Sequence, residues 1–101
     1  MKSTENMIGR YCIVRANGAG VFAGILKEKE GDEVALTDAR RLWYWDGAAS
    51  LSQLAQEGTS KPSKCRFPVA VDEILVMNVL EIIPTTEAAE KSIRGVKVWT
   101  V

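Results

Sequence analysis

The chain of 101 residues contains no histidine and only two cysteines, Cys12 and Cys65. Without histidine the commonest general base is missing, and with it every Ser-His and Cys-His nucleophile arrangement. Two cysteines so far apart do not form a structural zinc site, and we expect both to be reduced, packed thiols. The sequence therefore predicts a protein that is not an enzyme and that holds no metal and no cofactor.

The sequence also lacks an excess of charge of either sign. Lysine plus arginine and aspartate plus glutamate number 13 each, so the formal net charge is zero. Proteins that coat nucleic acid are usually markedly basic, and nucleic acid is therefore not the expected partner. A local basic patch for a small anionic ligand stays open. Zero net charge offers little resistance to self-association, which favours a homo-oligomer.

Long apolar runs are missing as well. No stretch of 18 apolar residues occurs, so no membrane span is expected. The polar start MKSTENMIGR does not have the apolar core of a signal peptide, and we expect a cytoplasmic protein. At this length the chain predicts a flexible N-terminal arm at residues 1–6 and a single domain at residues 7–101.

The first half of the chain has the pattern of an antiparallel meander. Strands are predicted over residues 7–14, 21–30, 33–39 and 40–45. Asn17-Gly18 predicts a tight hairpin turn, and KEKEGDE predicts an exposed hairpin tip. Gly24, inside the second strand, indicates a bulge or a close backbone approach.

The second half mixes helices and strands. Ser50 and Gln53 form a capping-box pair at the start of a helix within residues 47–58, and Gly58 ends it. A second helix is predicted over residues 85–93 with Gly95 as its stop, and further strands over 69–76, 79–84 and 96–100. The predicted fold class is α+β, mainly β: an antiparallel meander that curls into a small, partly open barrel with two short helices. A two-layer α+β sandwich is the alternative.

The segment ARRLWYWDGAAS is the most unusual part of the chain. Strand alternation places Arg40, Leu42 and Tyr44 on one face and Arg41, Trp43 and Trp45 on the other. One interpretation buries the tryptophans and leaves the arginines at the wet end of the strand. The other presents arginine beside aromatic rings, which stack on a base while the guanidinium pairs with phosphate. Both interpretations hold if only one face of this strand lies in the core.

Two following segments add candidate anion contacts. Small residues at 48–50 lead into a helix N-terminus, where backbone N–H groups attract anions. Lys61, Lys64 and Arg66 lie in a proline-bracketed loop that either closes over an anion or stays a solvated surface loop. The predicted ligand-binding residues are Arg40, Arg41, Trp43, Tyr44, Trp45, Ala48, Ala49, Ser50, Lys61, Lys64 and Arg66.

From AGVFAGILKEKEGDEVALTDARRLWYWDGAASLSQLAQEG the chain resembles a family of small, uncharacterised bacteriophage and prophage proteins. The resemblance extends from YCIVR through KCRFP to EIIPTTE and VKVW, and its most specific part is ARRLWYWDGAASLSQLA. The family has no established activity, so no catalytic residue follows from it. The resemblance implies an infected bacterial cytoplasm, where small phage proteins counter host defence by binding a defence protein or sequestering a nucleotide signal.

Together these features predict a non-enzymatic phage protein that sequesters a small anionic, nucleotide-derived immune signal. The resemblance implies a ligand of the cyclic-nucleotide or ADP-ribose type, held in a pocket shared between identical subunits. One alternative is an inhibitor that binds a host defence protein directly through its aromatic and arginine surface. The other is a single-stranded nucleic-acid-binding module, in which surface aromatics stack on bases.

Overall fold

A computed structural model describes residues 2–101, with side chains from residue 5 onward. Five strands form one antiparallel sheet: β1 (Tyr11–Ala16), β2 (Gly20–Glu30), β3 (Glu33–Arg41), β4 (Val71–Val76) and β5 (Val79–Pro84). The described helices are α1 (Lys2–Met7), α2 (Leu51–Glu57) and α3 (Glu87–Gly95), with a 3-10 turn at Pro62–Lys64. The predicted mainly β, antiparallel fold class is confirmed. In the predicted arm, residues 2–6 are helical and Met1 lies outside the described residues, so the flexibility of the arm stays a prediction.

The sheet is curled because its two edge strands are consecutive in the chain. The strand order is β4-β3-β2-β1-β5, yet only Met77 and Asn78 separate β4 from β5. In a flat sheet the outer strands would lie about 19 Å apart, whereas this link spans at most about 11 Å. The edges therefore meet at one corner, where Asn17 N donates to Asn78 O at 2.9 Å. This is the partly open barrel that the sequence predicts.

Strand β1 is buried on both faces and supports two hydrophobic clusters. Tyr11 and Ile13 pack in a cluster with residues of α2 and α3. Cys12 and Val14 pack on the other face with residues of β2, β3 and β4, inside the curl. A strand covered on both sides explains why β1 has almost no exposed residue.

A bulge between β2 and β3 fixes the direction of the next side chains. The register shifts at Gly24, and Asp38 opposite it adopts a positive φ of 50°. A Cβ at Gly24 would lie 2.9 Å from the Cβ of Ala39, so the backbones approach as predicted. The extra residue reverses the alternation, and Arg40 therefore lies on the Tyr11 side of the sheet, under α3.

Two predicted strands are wrong. Residues 40–45 do not form a strand of their own, because β3 continues to Arg41 and the chain then leaves the sheet. Residues 96–100 make only a single bridge, between Val98 and Phe67. The first strand begins at Tyr11 instead of Met7, since α1 extends to Met7. The sheet has five strands instead of the seven or so that the pattern suggested.

The predicted caps of α2 are confirmed. Ser50 Oγ accepts a hydrogen bond from Gln53 N at 3.1 Å, and Gln53 Oε1 accepts one from Ala49 N at 2.7 Å. Gly58 ends the helix with a φ of 75°. None of the helices in residues 2–101 is long and apolar enough to cross a membrane.

Candidate functional site

Three chain segments outside the main sheet run side by side and bring distant residues together. Tyr44 and Arg66 form an antiparallel bridge, in which Arg66 N donates to Tyr44 O at 2.7 Å. The next residue, Phe67, forms a parallel bridge with Val98, and Trp99 N donates to Phe67 O at 3.0 Å. The loop after β3, the basic loop and the C-terminal segment thus form one small ladder.

This ladder places a guanidinium within cation–π distance of two aromatic rings. The Cζ atom of Arg66 lies 5.8 Å from the ring centre of Tyr44 and 5.8 Å from that of Trp99. Both distances lie within the range of cation–π attraction, which holds the long arginine side chain over the rings. Tyr44 is 50% exposed and Trp99 is 38% exposed, so part of each ring stays open to solvent.

The same residues form part of the wall of an open cleft of about 430 Å³. The cleft is lined by Tyr44, Asp46, Ser63, Lys64, Cys65, Arg66 and Trp99. Two cationic side chains and one carboxylate thus share it with two aromatic rings. Cationic side chains pair with anionic groups, and exposed aromatic rings stack on flat ones.

The floor of the cleft is fixed by a short hydrogen-bonded loop. Asp46 Oδ1 accepts a hydrogen bond from Gly47 N at 2.7 Å, which leaves the other carboxylate oxygen for a ligand. Gly47 O accepts from Ser60 N at 3.2 Å, and Gly47 has a φ of 82°. A Cβ at Gly47 would lie 2.5 Å from the backbone nitrogen of Lys61, so this position requires glycine. The loop therefore holds Asp46 in place before any ligand arrives.

Cys65 lines the cleft with little exposed surface. Its Sγ lies 3.6 Å from Asp46 O and 3.6 Å from Thr59 Oγ1, as a weak hydrogen-bond donor. It packs in the same hydrophobic cluster as Tyr11 and Ile13. Both cysteines are unpaired and buried in the structure, in agreement with the expected packed thiols.

Arg40 is not part of the cleft. Its side chain is buried, and its N–H groups donate to four backbone oxygens, those of Phe67, Pro68, Ile93 and Val96. Burial lowers the pKa of this guanidinium, an effect that Tyr11 partly opposes. Arg40 is therefore a structural residue, and we leave it out of the proposed ligand site.

Arg41 and the tryptophans of the same segment also lie away from the cleft lining. Arg41 Nη1 donates to Ala19 O at 2.7 Å, and its Cζ lies 4.4 Å from the ring centre of Phe22. Trp43 is 62% exposed, so the interpretation that placed it in the core is wrong. Trp45 is partly buried and packs against the core.

The remaining predicted residues divide in two groups. Lys64 lines the cleft, whereas Lys61 is exposed and is not among the lining residues. Ala48 packs against the core. The N–H of Ala49 and the Oγ of Ser50 are already used in capping α2, so neither of these two groups is free for an anion.

Sequence reasoning missed four of the cleft residues, Asp46, Ser63, Cys65 and Trp99. The segment VKVWT has only the pattern of a strand, and nothing in it indicates that Trp99 lies beside Arg66. A wider depression of about 570 Å³ lies on α3, but all five of its lining residues belong to that one helix and none is aromatic. Among the described residues no group of three or more potential ligands is placed to hold a metal ion.

The chain matches a model of a protein family. A family model described as Domain of unknown function (DUF6948) matches residues 9–93. The matched range includes Tyr44, Lys64 and Arg66, while Trp99 lies just beyond it. None of the curated proteins matches the chain.

Proposed function

The chain belongs to the DUF6948 family of domains of unknown function, and from the geometry of its cleft we propose that it binds and sequesters a small anionic, nucleotide-derived molecule. The observation that carries the proposal is the position of Arg66 within 5.8 Å of the ring centres of both Tyr44 and Trp99. Lys64 adds a second cation at the same cleft. Cyclic nucleotides and ADP-ribose-type signals combine the flat base and the phosphate that such a site accommodates.

Each cleft residue has a role in this proposal. The ring of Trp99 or Tyr44 stacks on the base, since both rings are partly open to solvent. Arg66 and Lys64 pair with phosphate oxygens, Arg66 with its planar fork and Lys64 as a point charge. Asp46 accepts hydrogen bonds from a ribose hydroxyl or an amino group of the ligand.

The volume of the cleft agrees with a ligand of this size. Small-molecule sites usually enclose about 300–1,000 Å³, and this cleft of about 430 Å³ is within that range. Its open side leaves room for a second subunit to complete the site. The phage setting and the anti-defence role stay predictions, because they rest on the resemblance of the sequence to small phage proteins.

A thermal-shift screen of the purified protein tests the proposal. The panel contains cyclic di- and trinucleotides, cyclic ADP-ribose isomers and ADP-ribose. A ligand at a hundredfold excess over its Kd adds about 2.7 kcal/mol to the free energy of unfolding, which raises Tm by several degrees in a domain of this size. The expected result is a clear shift with one compound, recovered unmodified afterwards, and a weaker shift in the Trp99→Ala variant.

Two other results would count against the proposal. Recovery of a cleaved compound would make the protein an enzyme. No shift with any compound would favour direct binding to a host protein, which a pull-down from host lysate then examines.

A further inference from the structure

Strand β4 is an edge strand whose protection against pairing is limited to two carboxylates, Asp72 and Glu73. On one side it forms backbone hydrogen bonds with β3. On its other side, residues 71–76 form no backbone hydrogen bond with any part of residues 2–101. Edge strands usually carry lysine, proline or a bulge that discourages association. The sequence of β4, VDEILV, contains neither lysine nor proline. Its outward backbone groups are therefore open to another strand.

The outer face beside this edge is apolar. Val71, Leu75 and Met77 are all exposed and recur at even spacing, so they lie on the face opposite to the buried Val76. The helices pack over β1 and β5 and do not cover this part of the sheet. An apolar row along an open edge, interrupted here by Glu73, is typical of an interface.

The charges of β4 do not repel a second copy of the chain. Its outer face carries one carboxylate, Glu73, and Lys27 Nζ of the same chain donates to it at 3.2 Å. The chain as a whole has zero net charge. The unpaired edge of β4 is complementary to another strand edge, and a second copy of the chain offers the same one. We propose that two molecules pair antiparallel through β4 into one continuous sheet of ten strands.

The face of each residue selects the register. A two-fold axis perpendicular to the sheet keeps the outer faces together, so a residue pairs with one on the same face. A register centred on Asp72 or Glu73 sets a carboxylate directly opposite its own copy, which is destabilising. In a register centred on Ile74, the Ile74 residues of the two copies lie opposite each other. Glu73 of one copy then lies opposite Leu75 of the other, and Asp72 lies opposite Val76. Each carboxylate then faces an apolar residue, while a register centred on Leu75 shortens the overlap.

Sedimentation velocity over a series of micromolar concentrations tests this interface. The wild-type protein is expected to sediment as a dimer. Leu75→Lys places a charge on the paired row, and the variant is expected to be a monomer. Leu80→Lys is the matched control, since Leu80 is 56% exposed on β5 while Leu75 is 59% exposed on β4. This control is expected to stay a dimer. Val71→Lys repeats the test in case Leu75→Lys does not fold.

A monomeric wild type over the whole series would overturn the proposal. A dimer that survives both Leu75→Lys and Val71→Lys, or one that is lost in Leu80→Lys alone, would overturn it as well. Hydrogen–deuterium exchange gives an independent result, because dimerisation should slow the exchange of β4 amides as the concentration rises. Slowing confined to β5 or to the cleft would contradict β4 pairing. The interface does not depend on the proposed ligand, so either proposal can fail alone.

Discussion

Arg40 and Phe67 are joined by two contacts. Arg40 Nη2 donates to Phe67 O at 2.7 Å, and its Cζ lies 5.4 Å from the centre of the Phe67 ring. The other N–H groups donate to Pro68 O at 3.2 Å and to the carbonyl oxygens of Ile93 and Val96 at 3.0 Å. One side chain of β3 thus holds both the segment before β4 and the end of α3 against the sheet.

We expect Arg40→Met to destabilise the fold strongly. Methionine fills much of the space but leaves buried carbonyl groups without a donor, at a cost on the order of 3 kcal/mol. Arg41→Met is the control, since Arg41 is exposed and makes one hydrogen bond, and it should cost less than about 1 kcal/mol. Urea unfolding measures both. Equal losses in the two variants would mean that the buried hydrogen bonds of Arg40 contribute little.

Gly47→Ala is expected to destabilise the protein more than Gly18→Ala. The two glycines have nearly the same φ, 82° and 84°, so both variants carry a similar backbone strain of about 1 kcal/mol. A Cβ at Gly18 meets nothing within 4 Å, whereas at Gly47 it lies 2.5 Å from a backbone nitrogen. The clash should add about 1–3 kcal/mol at Gly47. Urea unfolding of the pair isolates this difference, and similar losses would show that the loop moves to accommodate the methyl group.

Stability should fall as the pH rises above 9. Burial raises the pKa of the Cys12 thiol from 9.0 to about 11, partly offset by Arg10. The unfolded chain therefore loses this proton first, and the free energy of unfolding decreases from about pH 9 until the folded thiol also ionises near pH 11. The decrease amounts to roughly 2–3 kcal/mol. Burial raises the pKa of Tyr11 to about 12 in the same way, which extends the decrease to higher pH.

The variant Cys12→Ala tests the origin of this slope. It should flatten the pH dependence between pH 9 and pH 10, where the thiol is the first of the two groups to titrate in the unfolded chain. The measurement is urea unfolding at several pH values, and the comparison is between slopes, because the variant also loses packing. An unchanged slope would assign the effect to other groups.

Ligand binding should depend on Arg66 and not on Arg41. Once a ligand has been found, Arg66→Gln should weaken its binding about tenfold or more, since hydrogen bonds to charged groups contribute about 1.5–3 kcal/mol. Arg41→Gln is the matched control, because Arg41 lies against Phe22 and Ala19. Isothermal titration calorimetry gives the Kd of each variant. Arg41 also lines a groove between the β1–β2 turn and β4. If Arg41→Gln is the damaging change, the ligand lies in that groove.

The elements with local signals are the ones that the sequence predicts well. Ser50, Gln53 and Gly58 fix the ends of α2 through hydrogen bonds within a few residues, and all three have their predicted roles. Gly24 marked a bulge because glycine inside a strand has few other causes. The bulge then reversed the faces of the following residues. Because the bulge precedes Arg40, a regular alternation along the whole strand does not show whether Arg40 or Arg41 is the buried side chain.

The candidate site was only partly predictable for a different reason. Tyr44, Lys64 and Arg66 were recognised from the types of residue, since aromatic and basic side chains are the usual contacts of nucleotides. Their partner Trp99 reaches them through a bridge between Val98 and Phe67, segments 31 residues apart. Contacts over such separations depend on the whole topology. A single sequence does not reveal them.

The two-residue link between β4 and β5 also favours an order of assembly. The pairing of β1 with β5 joins Cys12 to Pro84, a closure over most of the chain, while the β1–β2 and β2–β3 pairs are hairpins of adjacent segments. Met77 and Asn78 are too few to span a flat sheet. While β4 stays paired with β3, β5 can therefore reach β1 only after the meander has curled. The seam between β1 and β5 is therefore expected to close last in folding, and to be the first part of the barrel to open under force.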